Sequence, residues 1–317
     1  MNTFDRSALT ADQVCIRREL AEHGVDVDLL TRPELSRTLL DIAFDYGSIV
    51  VAYAILHPLG CFGWLMIIFW FGNRQRALGN LLHDASHRNL ASSKRINELL
   101  GGSLLAPTLF TSLMVYRSRH ANHHAWLSSA AHDPDFIDPD RILCPTWYAT
   151  YLKCLRSPSI WLGSLLGHLI SPEIRVADAV KILLLWTIVV VGVALLTSPA
   201  LAVGFLALWL AAKATVFHTI TIYREMVDHF GLTPGGVFSF TRDLHAAKLW
   251  AWIVHPHSNG YHLTHHLLPG VPYHRLQKVH QLLHLSAEYR ARARVCRSYL
   301  YGPGAVVNTW TKTGPVK

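Results

Sequence analysis

The stretch from Cys61 to His87, CFGWLMIIFWFGNRQRALGNLLHDASH, decides how this chain folds. It is apolar to Phe71, meets Asn73, Arg74, Gln75 and Arg76, and then runs through Ala77–Leu82 into a histidine pair, His83 and His87. A helix of about 26 residues is about 39 Å long at about 1.5 Å per residue. The hydrocarbon core of a bilayer is only about 30 Å thick. The economical reading is one helix whose last turns leave the bilayer and hold both histidines beyond the interface. Arg74 and Arg76 would then lie at headgroup level, where long basic side chains snorkel to water.

Working outward, a preceding apolar run from Leu39 to Leu56 carries only Asp41 and Asp45 near its start, and His57-Pro58-Leu59-Gly60 makes a turn between the two runs. A second pair of runs, joined by Thr197-Ser198-Pro199, follows after residue 180. The expected transmembrane segments are 39–57, 61–82, 180–197 and 200–222, with Lys213 at or snorkelling toward the interface. Residues 99–116 are apolar but broken by Gly101, Gly102 and Pro107, which fits a re-entrant or interfacial segment better than a spanning helix. The chain divides accordingly into a polar N-terminal segment (1–38), a membrane domain (39–290) and a C-terminal tail (291–317). The N-terminal segment has a modest apolar face of Leu20, Val25, Leu29 and Leu30 and is expected to be a solvated or interfacial lead-in.

Composition agrees with membrane insertion. Hydrophobic residues make up 51% of the 317, charged residues only 16%, and the mean hydropathy is +0.24, against about 25% charge in a soluble domain. The net charge of +8 does not point to nucleic acid, because Arg and Lys are scattered and flank the apolar runs. The turns at 57–61 and 197–200 contain no Lys or Arg, whereas the other connections are basic. The positive-inside rule then puts both termini and every histidine cluster on the cytosolic side. The opening residues show no basic-then-apolar signal peptide, so the first membrane segment is expected to direct insertion. Cys15, Cys61, Cys144, Cys154 and Cys296 have no ligand spacing and read as free thiols. The expected fold is an all-α integral membrane helical bundle of about four transmembrane helices in two hairpins, with a cytosolic helical cap holding a His-rich metal site.

Three histidine clusters supply that site: HDASH (His83, His87), HANHH (His120, His123, His124) and HLTHH (His262, His265, His266). Spacings of three and four residues put side chains on one helical face. A tetrahedral zinc takes at most four protein ligands, so eight such histidines point to more than one metal ion. HDASH has the spacing of a zinc-protease HExxH motif but Asp84 in place of the Glu base, which disfavours peptide hydrolysis. A metal transporter would place its polar groups mid-membrane, whereas these clusters follow the apolar runs rather than interrupt them. Imidazole suits zinc, copper, iron or nickel, and an unactivated C–H bond in a lipid needs an oxidant that no side chain supplies, which redox iron with O2 provides. Asp84, Asp133, Asp135 and Asp228 are candidates to orient metal-bound imidazoles, with Asn259 just ahead of the third cluster.

In order, spacing and membrane placement, the clusters resemble the membrane fatty acid desaturase/hydroxylase superfamily over roughly residues 40–290. The likeness includes the NxxHxxHHLxPxxP stretch from Asn259 to Pro272. The resemblance implies a non-haem di-iron centre that uses O2 and two electrons per turnover on acyl chains and related lipids. It makes His83, His87, His120, His123, His124, His262, His265 and His266 metal ligands. Arg224–Leu232 is similar to the EHYGL stretch of membrane alkane monooxygenases, which makes His229 the ninth ligand, with His218 as the fallback. The implied activity is an O2-dependent desaturase placing a double bond in an acyl chain of a lipid or acyl thioester. The alternative is a lipid, alkane or carotenoid hydroxylase on the same scaffold. HPLG at 57–60 lacks the rest of a haem-binding cytochrome b5 domain, so electrons are expected from a separate ferredoxin-like or cytochrome b5-like protein. Arg117, Arg119, Arg242 and Lys248 either steer such a donor or are simply solvated. His255, His257, His274 and His280 read as capping and surface residues, and His132 as either a partner of the site or a surface residue. His23, His57, His168, His245 and His284 read as structural or exposed.

Overall fold

A computed structural model describes residues 6–312. The first five residues of the expected N-terminal segment and the last five of the expected tail lie outside them. Among the described residues the fold is all-α. Its only sheet is one parallel pairing of two-residue strands, Asp243–Leu244 with Val295–Cys296. The chain forms two compact units: Glu34–Arg117 with Leu155–Thr221, and Met1–Pro33 with Ser118–Cys154 and Ile222–Lys317.

The first unit is the membrane part. Helices Leu35–Leu56 and Gly60–Ser86 fold back on each other through a turn at His57–Leu59. Gly60 has φ +63° there, in the left-handed region glycine enters without penalty. The second hairpin pairs Val176–Leu196 with Pro199–Ala212; Ser198 caps the latter, its hydroxyl accepting from Leu201 N at 3.3 Å. The Pro199–Ala212 helix packs on Gly60–Ser86 and continues through a wider turn, Lys213–Phe217. At that contact a Cβ on Gly72 would lie 2.5 Å from Val216 Cβ, so only glycine lets the backbones approach. Among the described residues, three helical stretches are long and apolar enough to cross a membrane: Val27–Ser86, which contains the first hairpin, Val176–Leu196 and Pro199–His229. Outward-facing Leu40, Phe62, Leu183, Ile188 and Leu195 are exposed. So large an apolar surface belongs in lipid. Helices Lys94–Thr108 and Leu113–Ala125 pass the same test only as a pair, bent by 97°. The bend falls inside the glycine- and proline-broken 99–116 stretch, with Phe110 at φ +60°.

Two expectations are corrected here. Arg74 and Arg76 do not snorkel: they are 1% and 5% exposed. Arg74 Nη1 donates to Asp45 Oδ1 at 2.7 Å between the rings of Phe44 and Trp70. Arg76 donates to Asn80 Oδ1 through Nε at 3.1 Å and Nη2 at 2.6 Å. Lys213 is likewise buried, its ammonium donating to Ser164 O at 2.6 Å over the Phe217 ring. Snorkelling needs an open path to water. Neighbouring helices cover these cations, so internal acceptors replace the lost hydration.

In the second unit, the N-terminal helix Arg6–Glu22 is no solvated lead-in. Its face of Leu9, Ile16 and Leu20 is buried in one cluster with Val237, Phe238, Leu263, Leu267, Val279, Leu283 and Tyr289. Asp12 accepts from Arg292 Nη1 at 2.8 Å, and Gln13 Nε2 donates to His266 O at 2.8 Å. The expected tail also packs inward: Trp310 is fully buried and Thr309 O sits where a Cβ on Gly231 would be, 2.4 Å away.

Candidate metal centre

Two short helices make the core of the site. Leu113–Ala125 carries His120, His123 and His124, and His262–Leu267 carries His262, His265 and His266. In each, the three histidines at i, i+3 and i+4 share one face. His229 is the last residue of the helix His218–His229. The chain must turn sharply after it, and Gly231 supplies that turn at φ +73°.

Four rings converge on one point. The Nε2 atoms of His229 and His262 are 2.8 Å apart, those of His262 and His266 3.0 Å, and those of His266 and His123 3.3 Å. All four side chains are buried. A second set lies beside it: His124 Nε2 is 3.0 Å from His120 Nε2 and 3.1 Å from His265 Nε2. The sets adjoin where His124 and His266 stack, with ring centroids 4.1 Å apart. His83 and His87, in the other unit, end the long helix and cap it, their rings 5.1 Å apart.

The donor set fits metal ions. Ligand nitrogens about 2.0–2.1 Å from a shared ion lie about 2.8–3.4 Å from their neighbours, from adjacent octahedral to tetrahedral positions. That is close to the spacing seen here. The outer ring nitrogens favour lone pairs at Nε2: His123 Nδ1 donates to Asp133 Oδ1 at 2.8 Å, and His229 Nδ1 to Phe240 O at 2.9 Å. An imidazole that donates at Nδ1 presents Nε2 as a ligand. At His262 and His266, burial first, and then the neighbouring imidazoles with Arg224 beside His262, hold the pKa well below the usual imidazole value. The neutral form that binds metal is therefore favoured.

The expected orienting groups separate into distinct cases. Asp133 is buried and additionally accepts from Ser128 N at 3.1 Å and Asp135 N at 2.9 Å, so it is itself held while it holds His123. Asp135 is exposed, with an oxygen 3.7 Å from His123 Nδ1. Asp228 is buried between Arg224 Nε at 2.8 Å, His255 Nε2 at 3.2 Å and His262 Nδ1 at 3.6 Å. Asp84 is buried, 3.6 Å from His83 Nδ1. Asn259 is buried, and its Oδ1 has no hydrogen-bond partner among the described residues. His218, in the first unit, is bonded to Ser164 Oγ at 2.8 Å and Leu155 O at 2.9 Å.

Two histidines read as surface residues prove to be buried partners. His255 accepts from or donates to Tyr299 OH at 2.7 Å while its Nε2 meets Asp228, and His280 Nδ1 donates to Asp243 Oδ2 at 2.9 Å. No local pattern signals either, because Asp228, Asp243 and Tyr299 lie far away in the chain. His132 stays exposed against Trp126, and His284 is exposed too. A partly open cavity of about 480 Å³ reaches His229, with Phe136, Phe230 and Phe240 on its apolar side and Asp138 and Asp140 at its rim.

The family model described as "Fatty acid desaturase" matches residues 57–297. Dihydrorhizobitoxine desaturase of Bradyrhizobium elkanii is 26% identical over 273 residues, covering 78% of this chain and 76% of that protein. The sn-1 oleoyl-lipid 12-desaturase of Synechocystis sp. is 23% identical over 267 residues, covering 77% and 75%.

Proposed function

Because the chain belongs to the fatty acid desaturase family, we propose that this multi-pass membrane oxidoreductase is an O2-dependent, non-haem di-iron desaturase. Its substrate is an acyl chain of a lipid or acyl thioester. The observation that carries the reading is the convergence of His123, His229, His262 and His266 beside His120, His124 and His265. His123, His229, His262 and His266 hold one iron. His120, His124 and His265 hold the other, with His83 and His87 completing its shell, an assignment supported by their i, i+4 spacing and the family pattern. The irons supply the O2-derived oxidant that a C–H bond of an alkyl chain requires. Overall, two adjacent CH2 groups lose one hydrogen each, and O2 with two electrons and two protons leaves as two waters.

The chain's own residues do the preparatory work. Asp133 and the Phe240 carbonyl fix the ring orientation of His123 and His229, as outer-shell partners do at metal sites. Burial keeps His262 and His266 neutral. Electrons come from a separate ferredoxin-like or cytochrome b5-like protein approaching the cytosolic face, in a bacterial inner membrane. The two relatives described above are named desaturases, and one is named for an oleoyl lipid; this favours double-bond insertion into a lipid. The Asp228–Leu232 stretch, similar to that of alkane monooxygenases, supports a hydroxylase as the second reading.

The test is lipid mass spectrometry of a host expressing the chain with a compatible electron donor, together with the metal content of the purified protein. Desaturation gives acyl products two mass units lighter, two irons per chain, and neither product nor full iron in His265→Ala. Products sixteen units heavier establish the hydroxylase instead. Stoichiometric zinc without iron, in protein active as isolated, overturns both.

A further inference from the structure

Behind the third histidine cluster, on the side away from the converging rings, lies a carboxylate that the metal ligands never touch. Asp243 is fully buried, as are Thr264 and Tyr289 around it. Its Oδ1 accepts from Thr264 N at 3.0 Å, and its Oδ2 from Thr264 Oγ1 at 2.6 Å, His280 Nδ1 at 2.9 Å and Tyr289 OH at 2.8 Å. Four donors on one carboxylate compensate its removal from water, which an isolated buried charge could not survive.

The placement matters because of what Thr264 is. It is the third residue of the helix His262–Leu267, and the N–H groups of a first helical turn have no partner within the helix. Asp243 supplies that partner from a distant strand, and grips the same residue again through its hydroxyl. Two bonds from both oxygens of one carboxylate to one residue fix the rotation of the helix about its axis. The flanking backbone adds to the grip: Leu244 N donates to Gly260 O at 2.8 Å and Leu263 N to Arg242 O at 3.2 Å. His280 and Tyr289 come from helices Leu276–Leu283 and Ala287–Arg292, so two further segments bear on this one helix through a single side chain.

The geometry points to Asp243, acting through Thr264, as the positioning residue that aims His262, His265 and His266 into both histidine groups at once. This rests on reading those groups as metal sites. His262 and His266 belong to one group and His265 to the other. A rotation of this short helix therefore disturbs both together, unlike the loss of any one ligand.

Iron retention tests it without recourse to turnover. Purified wild-type protein, Asp243→Asn, Thr264→Val and Thr264→Ser are loaded with iron(II) and exposed to a chelator, and both the released iron and the iron spectrum are followed. Thr264→Val keeps the side-chain volume but removes the hydroxyl grip. Thr264→Ser keeps the hydroxyl and should behave as wild type. Asp243→Asn and Thr264→Val should release both irons together, with affinity weakened about 10–100-fold, the range for outer-shell partners of metal ligands. Wild-type retention in Thr264→Val, or loss of one iron only, overturns the assignment even if Asp243→Asn fails to fold. A wild-type protein that takes up no iron overturns the metal reading itself, and this inference with it.

Discussion

At the scale of single residues, the site turns on which nitrogen of each imidazole is committed to the protein. His229 illustrates this. Its Nδ1 is held by the Phe240 carbonyl at 2.9 Å, and its Nε2 lies 2.8 Å from that of His262. A fourth imidazole in this position completes the proposed ligand set, which the sequence clusters alone leave at three. His229→Ala should therefore lose activity and one iron as completely as His266→Ala does. His274→Ala and His284→Ala should retain most activity, because the first is half-buried and the second exposed, and neither joins the converging set. Metal content and product formation, measured on the same preparations, check this; full activity in His229→Ala would remove it from the ligand set. His255 and His280 show the limit of reading residues one at a time. Nothing in NGYHLTHHLLPGVPYHR marks His274 as peripheral and His280, six residues on, as a partner of a buried acid.

At the scale of elements, the first hairpin is joined by more than apolar contact. The Arg74–Asp45 pair connects its two helices where both side chains are almost wholly buried, at 2% and 0% exposure. Removing one partner of such a pair leaves an uncompensated charge and costs about 3–5 kcal/mol, whereas apolar replacement of both is often neutral. Asp45→Ala should accordingly lower the thermal unfolding temperature in detergent markedly, and Asp45→Leu with Arg74→Met should recover most of the loss. Equal destabilisation by the single and double changes would mean the pair itself adds little. The apolar runs made both hairpins legible, since a helix buried in lipid has to be apolar all round. The same runs misled about the cations within them. Hydropathy records that Arg74 and Lys213 are charged but not which neighbouring helix covers them.

At the scale of the whole molecule, the proposed membrane topology rests on the distribution of charge. The turns at 57–61 and 197–200 lack Lys and Arg, and the other connections carry them. The expected arrangement has both termini and all three histidine clusters in the cytosol, where a soluble electron donor can reach them. Among the described residues the five cysteines are unpaired, so a cysteine-free background for labelling is reasonable to build. Ser198→Cys should react with a membrane-impermeant reagent from outside intact cells, and Ser92→Cys and Ser258→Cys should not. External labelling at either of the latter in active protein would mean that the number of crossings is wrong.

The sequence by itself determined the parts governed by local periodicity. These are the apolar helices with their two turns, and the three same-face histidine clusters, because a spacing of three or four residues has one geometric consequence on a helix. Tertiary structure alone decided how those clusters are shared. His123 and His124 are neighbours in the chain yet point into different groups, and so do His265 and His266. It also decided that the polar N-terminal helix enters the core and that Asp243 stands behind the third cluster. These depend on contacts between segments tens to hundreds of residues apart. A chain's local pattern carries no record of which distant segment will lie against it.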